Sequence, residues 1–277
     1  MKQGVRLPFY YIERSETMKK LIGTWILLFF LLLVPCHSQA KETIILHVGV
    51  GKEYQTITEA IDDARELKTP CIIEISSGIY KENIVLLNDT MPITFKGTGQ
   101  VFVISSCTYP YSTVYCAGNY SFSNITFIQT DERCYAGHVE YCDVAHPTQC
   151  DITFEQCLFI TEKGPAFGIG TGENTYTVFR DCQFISVDEE QTSLFLHNYP
   201  GANNQNQKIL IENCYFNQNI LMNDAAFDET LQNSKLEVIL KNVIIDGEII
   251  YTPDTNRIDD RLDYVPDGQD ITLFVVN

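Results

Sequence analysis

The chain has 277 residues, of which 45% are hydrophobic and 20% charged, so its composition is that of a folded protein rather than a disordered one. Its formal net charge is −17, and a surface that acidic repels nucleic acid and anionic lipid, because both bind through Lys and Arg. Nucleic-acid binding is therefore disfavoured, and an acidic polysaccharide would need a cation to bridge it to the protein.

The amino terminus has the features of an export signal. Two lysines, Lys19 and Lys20, precede an apolar run from Leu21 to Pro35, and small residues end the segment at Ala40. The alternative to a cleaved signal is a retained membrane anchor. A membrane-spanning helix needs about 20 apolar residues, so this run is short for such an anchor. We expect residues 1–40 to be an N-terminal extension and signal peptide. This signal peptide is expected to be the only part of the protein that contacts a membrane. Residues 41–277 are expected to form one secreted or cell-surface domain.

A short helix is predicted near the start of that domain. Thr56 can cap it and Glu59, three residues on, can complete a capping box. Apolar residues follow at helical spacing, at positions 57, 60, 61, 64 and 67, and Pro70 ends the pattern. Strand-like runs lie on either side, at 43–50, 71–75 and 83–86. The helix is therefore placed to cover one end of a β structure.

From residue 120 onward the sequence repeats around a polar anchor, at spacings of 32, 25, 32 and 29 residues. A large apolar residue stands two places before each anchor, and another three places after it. One place after the anchor the repeat has an aliphatic residue or a cysteine. The anchors are Asn124, Gln156, Asp181, Asn213 and Asn242, and the cysteines are Cys157, Cys182 and Cys214.

This pattern predicts a solenoid of parallel strands. Alternation with a period of two on both sides of the anchor describes two short strands joined by a bend, and Asn and Asp tolerate the left-handed backbone that a bend needs. A repeat of this length is typical of coils that bury their faces only against neighbouring coils. Equivalent residues then stack in ladders, and the three cysteines become part of the core. An all-β sandwich is the alternative.

The opening segment resembles a known family. Residues 54–61 follow the pattern F-x-T-I-x-x-A-I with Tyr first, a strand follows at 72–75, and Gly78, Tyr80 and Glu82 form G-x-Y-x-E. This order resembles the start of pectin methylesterases. Two later segments resemble coils of the same family, Phe122–Phe127 and Phe179–Phe184. The resemblance implies an all-β fold, a right-handed parallel β-helix of the pectin-lyase type with an N-terminal capping helix.

The catalytic motifs of that family are not matched. Where the family has G-Q-A-V, residues 137–140 read Gly-His-Val-Glu, and no Asp follows in the region that corresponds to its Q-D-T. Its D-F-I-F-G corresponds to Ser193–His197, and the family's sugar-binding Trp has no counterpart, since Trp25 is the only Trp of the chain. Ester hydrolysis in this family needs a carboxylate nucleophile beside a carboxylate acid. We therefore expect the usual esterase chemistry to be absent.

Two sets of residues remain candidates for a site. If the resemblance holds along the chain, three polar residues lie near the groove in which the family binds its substrate: His138, Glu140 and His197. Five tyrosines could act as sugar platforms, because an aromatic ring covers the apolar face of a pyranose, although ordinary loop packing explains them equally well. They are Tyr109, Tyr111, Tyr115, Tyr135 and Tyr141.

Cysteine and histidine recur every fourth residue in one segment, at Cys134, His138, Cys142, His146 and Cys150. These side chains could hold zinc. In an exported loop, disulfides among the three cysteines are the simpler interpretation, and Cys107 and Cys116 could form a further local bridge. No metal or other cofactor is expected.

The sequence supports three hypotheses about function. The first is a secreted, monomeric β-helix that binds or processes a pectin-like or other cell-wall polysaccharide and lacks standard esterase catalysis. The second is an active carbohydrate esterase or polysaccharide lyase with a rearranged site that uses His138 and Glu140. The third is a structural or adhesive surface solenoid.

Overall fold

A computed structural model describes residues 43–87, 91–106, 112–131, 134–139, 150–170, 174–196, 207–223, 236–252 and 271–276. The predicted signal segment, residues 1–40, lies outside this set. None of the helices formed by the described residues has the length and apolar character needed to cross a membrane.

One helix and 21 strands make up the described structure. The helix, α1, is Ile57–Leu67 and lies between the first two strands. The strands are β1 (Ile44–Val48), β2 (Cys71–Tyr80), β3 (Ile84–Leu87), β4 (Ile93–Ser105), β5 (Ser112–Ala117), β6 (Tyr120–Ser123), β7 (Thr126–Gln129), β8 (Tyr135–Val139), β9 (Cys150–Glu155), β10 (Leu158–Thr161), β11 (Phe167–Ile169), β12 (Thr175–Arg180), β13 (Gln183–Ser186), β14 (Leu194–Leu196), β15 (Gln207–Glu212), β16 (Tyr215–Phe216), β17 (Ile220–Asn223), β18 (Leu236–Lys241), β19 (Ile244–Ile245), β20 (Ile249–Thr252) and β21 (Ile271–Val276).

The strands form a right-handed parallel β-helix, as predicted. A long sheet of 14 strands has two arms: arm 1 carries β6, β9, β12, β15 and β18, and arm 2 carries β7, β10, β13, β16 and β19. Strand β4 passes through both arms. A short sheet of seven strands closes each coil, in the order β3, β5, β8, β11, β14, β17 and β20. The coil-to-coil strand pairs are parallel, which rules out the alternative of a sandwich.

A left-handed backbone at the predicted anchors makes the bend between the two arms. All five anchor residues have φ between 52° and 55°. Their side chains also bond from coil to coil: Asn213 Nδ2 donates to Asp181 Oδ1, and Asn242 Nδ2 donates to Asn213 Oδ1, both at 3.2 Å. The predicted bend is therefore confirmed, and the polar side chains both shape it and link successive coils.

Two columns of stacked phenylalanine rings fill the interior. In arm 1 the ring centroids of Phe95, Phe122, Phe154 and Phe179 are 4.7, 4.8 and 5.3 Å apart in succession. In arm 2 Phe127, Phe159, Phe184 and Phe216 stack at 5.4, 5.2 and 4.5 Å. Apart from Phe95, these rings occupy the positions predicted two places before and three places after the anchors. The ladder of Cys157, Cys182 and Cys214 is also in the core, as predicted.

Helix α1 begins with the predicted capping box, in which Thr56 and Glu59 bond each other's backbone N–H. Glu82 provides a second cap from the start of the next coil. Its carboxylate accepts hydrogen bonds from the backbone N–H groups of Ile57 (2.8 Å) and Thr58 (2.9 Å). A carboxylate at a helix N-terminus is also favoured by the helix dipole. The last residue of the G-x-Y-x-E motif therefore has a structural role here.

The left-handed bend can be tested at Asn213 with two substitutions. Asn213→Ala removes the side-chain hydrogen bonds and also places alanine, which tolerates a left-handed backbone poorly, at φ 55°. Asn213→Gly removes the same bonds but tolerates the backbone. We expect Asn213→Ala to lower the free energy of unfolding by about 1 kcal/mol more than Asn213→Gly. Urea unfolding followed by circular dichroism measures both, and equal losses would contradict the role given to the bend.

Candidate functional site

Two segments named in the motif comparison contribute strands to the short sheet, β8 and β14, and strand β11 lies between them. Strand β11 pairs with β8 on one side and with β14 on the other. The register places His138 beside Gly168, and Gly168 beside Phe195. It places Tyr115 of β5 beyond His138, and Leu221 of β17 beyond Phe195. We call these five positions the outer row.

The outer row faces away from the core because side chains alternate along a strand. Val139, Phe167 and Ile169, the neighbours of the row along β8 and β11, belong to the core. The row itself is aromatic and apolar in character, with a single imidazole and a glycine. None of its five members is a carboxylate, which is the group that ester hydrolysis in the resembled family requires.

Three rings form a cluster on this face. The ring of Tyr135 stacks on His138 with centroids 4.7 Å apart and planes 28° apart, and Tyr115 meets His138 edge-on at 5.3 Å. Gly168 lies under the cluster. A Cβ at Gly168 would be 2.8 Å from Tyr135 Cε1 and 2.9 Å from His138 Cδ2. A side chain at position 168 would therefore displace these rings, so the position beside His138 has no room for a reacting group.

Burial makes His138 a poor acid or base. The side chain is only 7% exposed, and loss of solvation lowers its pKa to about 3, against about 6.5 for an ordinary histidine. At neutral pH the imidazole is neutral, so it has no proton to give as an imidazolium. As a base it is weaker than a solvated histidine. The environment thus suits a ring that packs rather than one that transfers protons.

The other predicted site residues divide into two groups. Tyr115 and Tyr135 join His138 in the cluster, with Tyr115 buried at 5% exposure and Tyr135 half-buried. The remaining candidates lie outside the described residues: Glu140, His197, Tyr109, Tyr111 and Tyr141. Their roles stay predictions.

The Cys/His segment contributes two buried cysteines, Cys134 and Cys150, while Cys142 and His146 lie outside the described residues. Burial raises the pKa of Cys150 to about 11, which keeps its thiol protonated at neutral pH. Within the described ranges, no group of three or more His, Cys, Asp or Glu side chains could hold a metal ion. No disulfide joins the described cysteines either, so the predicted bridges, including one at Cys116, are not confirmed.

Three members of the outer row were missed as candidates from the sequence: Gly168, Phe195 and Leu221. The predicted repeat covered only the two arms of the long sheet, which have strong columns and a constant anchor. The strands of the short sheet are separated from the anchors by loops of different lengths. Counting inward–outward alternation within Phe167–Ile169, Leu194–Leu196 and Ile220–Asn223 would have marked all three residues as outward-facing.

Comparison with known proteins supports the resemblance noted in the sequence. No protein-family model matches the chain. It is 26% identical over 128 residues to pectinesterase 3 of Solanum lycopersicum, a match that covers 43% of this chain and 21% of that protein. The chain resembles pectin methylesterases. It thus matches about a fifth of the length of this curated relative.

Solved structures with a similar course of the chain include two pectin methylesterases. The Aspergillus niger enzyme in deglycosylated form is 15% identical with a TM-score of 0.46, and the match covers 85% of each chain. The carrot enzyme is 14% identical with a TM-score of 0.38, over 86% of this chain and 90% of that one.

The depressed pKa of His138 makes a prediction about stability. Between pH 6.5 and about 3 the unfolded chain binds a proton that the folded protein does not. The contribution of the neutral His138 to the free energy of unfolding is therefore fully present above pH 6.5. It is lost as the pH falls towards 3, at roughly 1.4 kcal/mol per pH unit. We expect the free energy of unfolding, measured at several pH values, to fall less steeply with falling pH in His138→Gln than in the unchanged protein. Identical slopes would contradict the buried, neutral imidazole.

Proposed function

We propose that this protein is a secreted β-helix that binds a polysaccharide on the outer face of the short sheet and does not carry out the esterase reaction of the family it resembles. In this proposal residues 1–40 are removed on export, and residues 41–277 act as one monomeric domain at the cell surface or in the extracellular space. The polysaccharide is a pectin-like or other cell-wall glycan.

The composition of the outer row is the observation that carries the proposal. The face holds Tyr115, His138, Gly168, Phe195 and Leu221 in adjacent strands. Ester hydrolysis by a carboxylate nucleophile needs a second carboxyl group beside it as the acid, and no member of the row supplies either. The position next to His138 is closed to any side chain by the rings of Tyr135 and His138. The geometry therefore favours binding over catalysis.

The outer row, together with Tyr135 beside it, suits the apolar face of a sugar ring. Tyr135 and Phe195 are half-buried, so part of each ring remains open to solvent. An aromatic ring offers a large apolar area at low cost in conformational entropy, and a pyranose presents a matching face of C–H groups. Stacking of Tyr135 on His138 holds its ring in one orientation before any ligand arrives. Such preorganisation favours affinity.

The net charge of the protein limits the classes of glycan that can bind. The full chain has a net charge of −17, and removal of residues 1–40, which hold five basic and two acidic residues, makes it more negative, so the protein repels an unmodified polyuronate at low ionic strength. A neutral or fully esterified glycan meets no such barrier, and a divalent cation would be needed to bring a free polyuronate to the surface. We therefore infer a preference for uncharged chains over free polyuronates.

Catalysis is tested by product release. The protein is incubated with methyl-esterified pectin and acetylated hemicelluloses while methanol, acetate and the absorbance of unsaturated products are followed. We expect none of these products above the level of a heat-denatured control. Release that is abolished in His138→Ala and Glu140→Ala would contradict the proposal and establish an enzyme with a rearranged site.

Binding is tested by affinity gel electrophoresis in neutral galactan, arabinan, xyloglucan and highly esterified pectin. We expect at least one polymer to retard the protein, and Tyr135→Ala to weaken that retardation by about tenfold, since loss of stacking on one ring is worth about 1 kcal/mol or more. Tyr215→Ala is the matched control, because Tyr215 is a half-buried tyrosine on the outer face of arm 2. No retardation by any polymer would favour the structural or adhesive solenoid instead.

A further inference from the structure

A depression of about 440 Å³ lies on the outer face of arm 1, away from the short sheet and the outer row. Its volume falls in the range of roughly 300–1,000 Å³ that is usual for small-molecule sites. The polar side chains that line it are Thr94, Asn119, Ser121 and Asp151. They come from three successive coils, at the start of β4, β6 and β9.

The turn before β6 sets the position of Asn119. Gly118 has φ 151°, in the region that favours glycine, and a Cβ there would lie 2.8 Å from the ring of Tyr120. Asn119 Oδ1 then accepts a hydrogen bond of 2.9 Å from the backbone N–H of Asp151, one coil further along. Because its oxygen is engaged, the group that Asn119 retains for a ligand is the amide nitrogen Nδ2, a hydrogen-bond donor.

This arrangement sets a donor beside an acceptor. The bond from the Asp151 backbone to Asn119 links the two residues, and Asn119 and the exposed Asp151 line the same depression. A carboxylate accepts hydrogen bonds and an amide nitrogen donates them, so the pair complements two neighbouring hydroxyl groups of which one donates and the other accepts. Vicinal hydroxyl groups of this kind are the repeating feature of sugars.

Two further elements extend the same surface. Thr94 and Ser121 are partners in register and half-exposed, and they add a row of hydroxyl groups beside the pair. Tyr176 is the register partner of Asp151 on the other side and is 38% exposed, so it lies on the same outer face, one strand beyond the residues that line the depression. A ring beside a polar depression can cover the apolar face of a sugar whose hydroxyl groups enter it.

We propose that this depression, formed by Asn119, Asp151, Thr94 and Ser121 with Tyr176 one strand beyond it, is a second glycan-binding site that takes a neutral sugar through vicinal hydroxyl groups. The Asp151 carboxylate and the net charge of −17 exclude free uronates. The site does not depend on the outer row, because the two lie on different faces of the β-helix. Two sites on one chain would also raise the apparent affinity for a polymer long enough to reach both.

The test uses protein made in a bacterial host, so that the Asn119-Tyr120-Ser121 glycosylation sequon stays unmodified. Affinity electrophoresis in neutral galactan, arabinan and xyloglucan, with polygalacturonate as the charged comparison, gives the dissociation constant for each polymer. We expect Asp151→Ala to weaken binding of the retained neutral polymer by at least about tenfold, as loss of a hydrogen bond to a charged group does, and Asn119→Ala to weaken it less, because its amide is neutral. Glu162→Ala removes an exposed carboxylate elsewhere and is expected to leave binding unchanged.

The outcomes separate this site from the outer row. Loss of binding in Asp151→Ala with an unchanged circular dichroism spectrum supports the site, whether or not Tyr135→Ala also weakens binding. Binding lost in Tyr135→Ala but unchanged in Asp151→Ala overturns this site and leaves the outer row standing. Tighter binding of polygalacturonate than of any neutral polymer, or no binding of a neutral polymer at all, also overturns it.

Discussion

Stacking of equivalent residues from coil to coil is the constraint on which the rest of this structure depends. Each coil has little interior of its own, so an apolar side chain is buried only if the next coil places a similar one about 4.8 Å away. The two phenylalanine columns meet this condition along both arms. A coil shifted by one residue would turn its phenylalanines outward, so the columns also fix the register.

The bend between the arms obeys the same constraint. A left-handed residue at the same place in five successive coils keeps both arms in phase, and the five anchor positions all adopt this backbone. Asn and Asp suit this place because they tolerate the backbone and bond their equivalents in the adjacent coils. Ion pairs on the outer face of arm 1 follow the same ladder, as in Arg180 and Lys241 on either side of Glu212. Exposed pairs of this kind contribute little energy but agree with the register.

In such a scaffold the residues that determine the fold are different from those that determine the chemistry of the surface. Inward positions are constrained by stacking, whereas outward positions on the same strands can change without disturbing the core. The outer row illustrates this: Val139 and Phe167 are core residues, while His138 and Gly168 beside them form part of the surface cluster. A β-helix can therefore keep the motifs that shape its first coil, such as Glu82 at the helix N-terminus, and carry quite different groups on its faces.

The sequence by itself determined the features that arise from local pattern and repetition. The capping box of Thr56 and Glu59, the left-handed anchors and the two apolar columns could all be predicted, because each depends on residue type at a fixed spacing. Only the tertiary structure decided what lies next to His138, since Gly168 and Phe195 come from other coils across loops of unequal length. It also decided the low pKa of that histidine, which depends on burial under neighbouring rings. The contact between Asn119 and Asp151 likewise exists only because two coils stack, 32 residues apart in the chain.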